Sequence, residues 1–351
     1  MDYSIDIVDN CCYNRQELHE LYSCVKLLTT ESNIILSKFM GDSRMKKILP
    51  LLMLIGIVLF SGCVGQTTTT TTGTNGLIIS DFSFSPTSIL PGETTELYLD
   101  AQNVGGETAY LKKVTVFGVD SISGAANALQ WGLPTGENFI EDKTSNPDDL
   151  IPPDPSTGFE GDFSDFTWHP QAPTGVKAET NYDFEVRVEY GYSTTYTGFI
   201  RLMEDSYLNT LPRDQRENLQ KVGGVVNPSV TGGPLTVAAA SGRHFVIRSG
   251  DVGGDRTIKF KVTNVGSGSP YGNSISTDLY KISVTGTNLN CDLSMTLSRG
   301  KTGIISCTFN SPAATDPSIA GKNKIDKAFS IKLDYNYFVD STATITVKPG
   351  F

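Results

Sequence analysis

Hydrophobic and polar residues alternate with a period of two over much of the chain beyond residue 77. In Phe184-Glu-Val-Arg-Val-Glu-Tyr-Gly-Tyr192, the residues Phe184, Val186, Val188, Tyr190 and Tyr192 share one face, and Glu185, Arg187 and Glu189 share the other. Successive side chains of a strand point to opposite faces, so this run predicts a half-buried antiparallel strand. Phe329-Ser-Ile-Lys-Leu-Asp-Tyr-Asn-Tyr337 repeats the pattern. After each copy a turn is expected, and then a further strand, Tyr196 to Leu202 and Ala343 to Val347. Upstream, Leu97-Tyr-Leu-Asp-Ala-Gln-Asn103-Val-Gly105 matches Ile258-Lys-Phe-Lys-Val-Thr-Asn264-Val-Gly266. A third pair sets Phe166-Thr-Trp168 before Ala172-Pro173 against Cys307-Thr-Phe309 before Pro312.

The motifs keep the same order in both halves, which predicts two tandem domains of related fold, 77–203 and 233–351. Seven or eight short strands with turn signals in each read as an all-β protein of two immunoglobulin-like sandwiches. Pro91-Gly92-Glu93 suits a type II turn. Between the domains, 204–232 holds Leu208, Leu211 and Leu219 among many charges. Pro212 and Gly223 bracket a short helix there, followed by linker.

The segment ahead of the domains has a different character. Met45-Lys46-Lys47 precedes an apolar run from Ile48 to Phe60, then Ser61-Gly62-Cys63. This order is that of a signal peptide, and the run is short for a bilayer span. The Ser-Gly-Cys ending resembles the lipobox of prokaryotic lipoproteins, with Phe60 where Leu is usual. The resemblance implies that 45–63 is a signal peptide and that Cys63 becomes the lipid anchor. The alternative is an uncleaved signal anchor from Ile48 to Val64. Residues 1–44, with Cys11, Cys12 and Cys24, are either upstream of the true start at Met45 or a small cytoplasmic extension. Residues 64–76, with threonine from Thr67 to Thr72, form a tether that cannot bury apolar surface and that offers hydroxyls for O-linked sugar.

Pro-Gly-Glu, a strand and then Asn-Val-Gly resembles the CARDB-type adhesion-related domains and S-layer-related repeats of archaeal envelope proteins. The resemblance spans most of 77–351 and implies a fold and an extracellular setting, with no particular activity.

Cys291 and Cys307 are the cysteines of the predicted domains. A hairpin turning at Ser298-Arg299-Gly300 sets Leu297 against Lys301, Met295 against Gly303, Leu293 against Ile305 and Cys291 against Cys307. Outside the membrane such a pair is expected to be a structural disulfide, with buried free thiols the alternative.

Net charge is −10 over 351 residues, which argues against nucleic acid as a partner and against a folded part that binds anionic lipid. Catalytic patterns are lacking. His169 and His244 fall in different domains, no Gly-x-Ser-x-Gly or P-loop occurs, and Gly232-Gly233 and Gly253-Gly254 read as linker or hairpin glycines. No cofactor and no metal are expected. Glu141, Asp142, Asp148, Asp149, Asp154, Glu160, Asp162 and Asp165 form an acidic stretch with Lys143. It reads as a solvated loop, with calcium as the alternative. Tyr190, Tyr192, Tyr335 and Tyr337 share their faces with Phe and Val and read as core. Trp131, the Tyr192 to Tyr196 segment and Tyr271 are the expected loop aromatics for recognition. Asn227-Pro228-Ser229 is barred as a sequon by its proline.

These readings converge on an outward-facing protein of the cell membrane, held by its N-terminal anchor, with a non-catalytic binding, adhesion or envelope-structural role. An envelope protein or glycan is the expected partner. The alternative is an accessory, substrate-capturing surface subunit of a transporter or enzyme complex.

Overall fold

The computed structural model of the chain describes residues 75–118, 120–243, 245–316 and 322–349. Cys63 with its export segment, the residues before it, the threonine tract and His244 lie outside the described residues. Everything described belongs to one unit, Thr70–Phe351.

In chain order the strands are β1 (Leu77–Ser85), β2 (Ser88–Ile89), β3 (Glu96–Asn103), β4 (Ala109–Phe117), β5 (Ser121–Ser123), β6 (Trp131–Leu133), β7 (Ile140–Asp142), β8 (Asp148–Leu150), β9 (Phe163–Trp168) and β10 (Thr180–Glu204). Helices α1 (Asp205–Leu208) and α2 (Arg213–Lys221) follow. Then come β11 (Val225–Val230), β12 (Leu235–Ala239), β13 (Val246–Ile247), β14 (Gly254–Asn264), β15 (Ser269–Tyr271), β16 (Lys281–Thr287), β17 (Asn290–Cys291), β18 (Ser294–Thr296), β19 (Thr302–Ser311) and β20 (Lys324–Val347). The fold is all-β apart from α1 and α2, and builds two β-sandwiches. A three-stranded sheet, β1-β3-β9, covers one, and a four-stranded sheet, β12-β14-β19-β17, covers the other. Between them runs an eleven-stranded sheet whose main path is β18-β16-β20-β10-β4-β7.

The long strands β10 and β20 pair antiparallel from Thr180↔Val347 to Met203↔Lys324. This departs from the expected boundary between domains ending at Met203 and starting at Gly233. The first half of β10 pairs with β4, while its second half pairs with β11 and places Tyr196 against Phe260 and Phe329 at 5.9 and 5.8 Å. Conversely, the last part of β20 takes β2 in parallel at Ser88↔Thr346, so it completes the first sandwich. Each half of the chain therefore lends a strand end to the other half's sandwich.

The expected turn between Tyr192 and Tyr196 is absent for a specific reason. Ser193-Thr194-Thr195 looks polar enough to turn, but buried Thr194 Oγ1 lies 2.7 Å from the Tyr335 hydroxyl. A satisfied hydroxyl is tolerated inside a sheet, so the strand runs straight through. The other local signals hold their places. The Glu93 N–H donates to the Leu90 carbonyl at 3.1 Å and Gly92 has φ +81°, as a type II turn requires. Helix α2 follows Pro212, and Gly223 stands just past its end at φ +58°.

Two aromatic cores fill the sandwiches. Phe184 packs edge-on against Phe84, Trp131 and Phe139 at 4.9, 5.1 and 5.9 Å. Phe329, its repeat equivalent, packs on Phe260 at 5.6 Å.

Candidate functional site

The sequence-singled residues separate into buried framework and exposed surface. Cys291 and Cys307 are bonded, S–S 2.04 Å, and stand opposite each other between β17 and β19. The register expected at that pair holds, but the continuous hairpin does not. Strand β18 leaves to pair with β16 in the large sheet, and Leu293 is 84% exposed. The aromatics expected in recognition loops are interior: Trp131, Tyr192, Tyr196 and Tyr271 are all buried. Trp131 opens β6 and packs on Tyr182 and Phe184, where its indole adds apolar area to the core.

The four repeat tyrosines gather where the halves meet. The N–H groups of Gly106 and Glu107 each donate to the Tyr192 hydroxyl at 3.0 Å, and that hydroxyl donates to the Gly232 carbonyl at 2.7 Å. The Tyr337 hydroxyl donates to Asn264 Oδ1 at 2.9 Å. Burial, partly offset by these bonds, pushes both phenols up to about 12. Burial also drives Tyr190 and Tyr335 well above the usual 10.0.

The Asn-Val-Gly repeats serve this junction. Asn103 Nδ2 donates to the Glu107 and Leu150 carbonyls, and Asn264 Nδ2 to those of Gly268 and Gly300. Each side-chain oxygen accepts the N–H of the glycine two residues on. A Cβ at Gly105 would meet the Tyr192 hydroxyl, so glycine is required by close approach. Across the junction, the Gly106 N–H donates to the Gly232 carbonyl and the Ser267 N–H to Asn75 Oδ1.

Four acids of the 141–165 stretch are held individually. Asp142 and Asp154 accept bonds from Thr144 and from Ser156, which lower both carboxyls below their usual range. Asp148 pairs with Lys143, and Asp162 accepts the Ile151 N–H at 3.1 Å. His169 Nδ1 lies 2.8 Å from Glu137 Oε1. Among the described residues no group of three His, Cys, Asp or Glu side chains could hold a metal ion.

One surface is distinctive. Register places Asp81 opposite Asp100 and Asp100 opposite Asp165, three carboxylates in one row across β1, β3 and β9. Leu97, Leu99 and Ala101 alternate with these positions and are buried, so the row lies on the outer face of the three-stranded sheet. Among the described residues no ion pair neutralises any of the three. Ser83 Oγ donates to Asp81 Oδ2 at 3.2 Å, while Asp100 Oδ1 is covered without a hydrogen-bond partner. Desolvation, then the charges of Asp100, Asp165 and Asp81, raise the Tyr98 phenol. Phe163, on the same face of β9, is 63% exposed. The large sheet contrasts with this. There Arg187 grips Asp340 through two bonds of 2.7 and 2.8 Å, and Arg201 grips Asp326 through two of 2.8 Å. Like charges directly opposite on neighbouring strands are unfavourable, so an unneutralised row is a feature that stability does not explain.

Sequence reasoning found Asp165 inside the acidic stretch and missed Asp81 and Asp100. The signal that joins them is strand register, which three separate alternating segments do not reveal.

No family model and no curated protein matches this chain. Among solved structures, the D0-D1 domain of intimin aligns over 77% of this chain and 98% of its own, at 9% identity and TM-score 0.17. The secreted serine protease VesC from Vibrio cholerae aligns over 76% and 51%, at 10% identity and TM-score 0.19. The C-terminal globular domain of an oligosaccharyltransferase from Pyrococcus abyssi aligns over 76% and 46%, at 11% identity and TM-score 0.19. Similarities this slight assign no function.

Proposed function

We propose that this chain is a non-catalytic protein of the cell surface. It is held to the membrane by its N-terminal segment, through a lipidated Cys63 or a signal anchor, and it serves in adhesion or envelope structure as a lipoprotein of the CARDB-like kind. The observation that carries the binding role is the unneutralised Asp81-Asp100-Asp165 row beside exposed Phe163. Charge without a partner inside the molecule, next to apolar surface, is the composition of a contact face. The signal-peptide pattern ending at Cys63 supports the address, and the tether would leave the sandwiches free to face outward.

Crosslinking on intact cells followed by membrane pull-down tests this reading. Recovery of envelope proteins, or of the chain with itself, is expected. Recovery of a transporter subunit instead would favour the accessory role, and a protein released whole into the cytoplasm would overturn the reading. Metabolic labelling with a fatty acid that is lost in Cys63→Ala decides between lipid anchor and signal anchor.

A further inference from the structure

The repeat relates the outer face of the three-stranded sheet to that of the four-stranded sheet, and the two carry opposite charge. Aligning Asn103 with Asn264 puts Tyr98 and Asp100 of β3 at the positions of Lys259 and Lys261 of β14. Both lysines are exposed and alternate with buried Ile258, Phe260 and Val262. Aligning Trp168 with Phe309 puts Phe163 at the position of Ile304, which is 62% exposed and stands opposite Lys261 in register. Among the described residues neither lysine forms an ion pair. One chain thus carries an acidic face beside exposed Phe163, which stands opposite Gln102, and a basic face beside exposed Ile304, which stands opposite Lys261.

We propose that copies of this chain associate head to tail, the Lys259, Lys261 and Ile304 face of one copy docking on the Asp81, Asp100, Asp165 and Phe163 face of the next. This rests on the cell-surface reading above and names the partner as a second copy. Charge decides the mode. Acidic face against acidic face would oppose three carboxylates to three, whereas acidic against basic relieves both. A contact between two different faces is heterologous, so each copy keeps one face free and the array can continue. The net charge of −10 repels copies at long range, and physiological salt screens that repulsion beyond about 8 Å while contact pairs persist. Tethering to one membrane raises the effective concentration, so a weak contact suffices.

The test is sedimentation of the full chain in detergent, with intact-cell crosslinking alongside. Wild type is expected to associate with rising concentration, to yield a ladder of crosslinked species, and to weaken as salt rises. Asp165→Lys and Lys261→Asp should each weaken association by at least about tenfold through like-charge contact. Mixing the two variants, or combining both changes in one chain, should restore it. Both sites are exposed, so the circular dichroism melt should not fall, and in Asp165→Lys it should rise slightly as Asp100 gains an opposite charge across the strands, which separates loss of contact from loss of fold. A wild type that stays monomeric in both assays overturns the proposal, as does Asp165→Lys that associates more strongly or a mixture that fails to recover. If a different envelope protein is captured equally by wild type and Asp165→Lys, self-association falls while the surface role stands.

Discussion

Gly191 lies directly opposite Asn336 in the β10–β20 ladder, and the two occupy the same position of the sequence repeat. An antiparallel pair centred on equivalent residues has local two-fold symmetry, so Tyr190 faces Tyr337 and Tyr192 faces Tyr335. Lys112 crosses over Gly191, where a Cβ would come within 3.2 Å of its Cε, and donates to Asn336 Oδ1 at 2.6 Å. The molecule is a repeat folded about its own centre.

Shared strands make the halves inseparable. A protease site placed between α1 and α2, at residues 209–212, should cut the chain without releasing either half. Size-exclusion chromatography of the cut protein is expected to give one peak of unchanged volume. Two peaks without denaturant would refute the exchange of strand ends.

Tyr192→Phe should destabilise more than Tyr337→Phe. The first leaves the Glu107 N–H without its partner, while the Gly106 N–H and the Gly232 carbonyl keep each other; in the second, Asn264 Oδ1 keeps the Gly266 N–H. A buried group left without a partner costs about 1–3 kcal/mol and a lost hydrogen bond whose groups keep other partners about 1 or less, so urea denaturation should show about 2 kcal/mol for Tyr192→Phe and about 0.5–1 for Tyr337→Phe. Gly105→Ala should cost more than about 2 kcal/mol in the wild type and markedly less beside Tyr192→Phe, since the clash is with the removed oxygen. Additive losses would contradict the contact.

Alkaline pH should unfold the protein through these same phenols. The unfolded chain loses the Tyr192 and Tyr337 protons near 10.0, and the folded chain keeps them to about 12. Between those values the folded state binds more protons, so stability is whole below pH 10 and falls as pH rises toward 12. Urea midpoints measured stepwise should fall across that window, less steeply in Tyr192→Phe, with the share of phenolate absorbance that belongs to the buried tyrosines rising only on unfolding. Midpoints that stay level would show that the phenols are not held in this way.

Loss of the disulfide should cost about 3 kcal/mol, the chain-entropy value for a loop near this size, given its separation of 16 residues. Thermal melts of Cys291→Ala/Cys307→Ala against oxidised wild type measure it. Alkylation before and after reduction should gain two thiols from this pair.

Asp100→Asn should stabilise the protein by about 0.5–1 kcal/mol at low salt, because Asp100 stands between two like charges. The gain should shrink as salt screens the row. A loss of stability at low salt would mean that the row is neutralised in a way its register does not show.

What the sequence determined by itself is local. Alternation of Phe184 to Tyr192 and Phe329 to Tyr337 sets the strand type, because side-chain direction along a strand depends only on neighbouring residues. Gly92, Pro212 and Gly223 mark their turn and helix ends through backbone sterics alone, and Cys291 facing Cys307 followed from counting along two short strands. What the tertiary structure decided is everything that needs a third partner. Thr194 turns or runs straight according to whether the Tyr335 hydroxyl comes within reach of its own. Trp131 and Tyr271 are exposed or interior according to what covers them. Asp81, Asp100 and Asp165 become one surface only when three strands separated by the segments 86–95 and 104–162 are laid side by side, since register between distant strands is set by packing of their buried faces and not by any one of them.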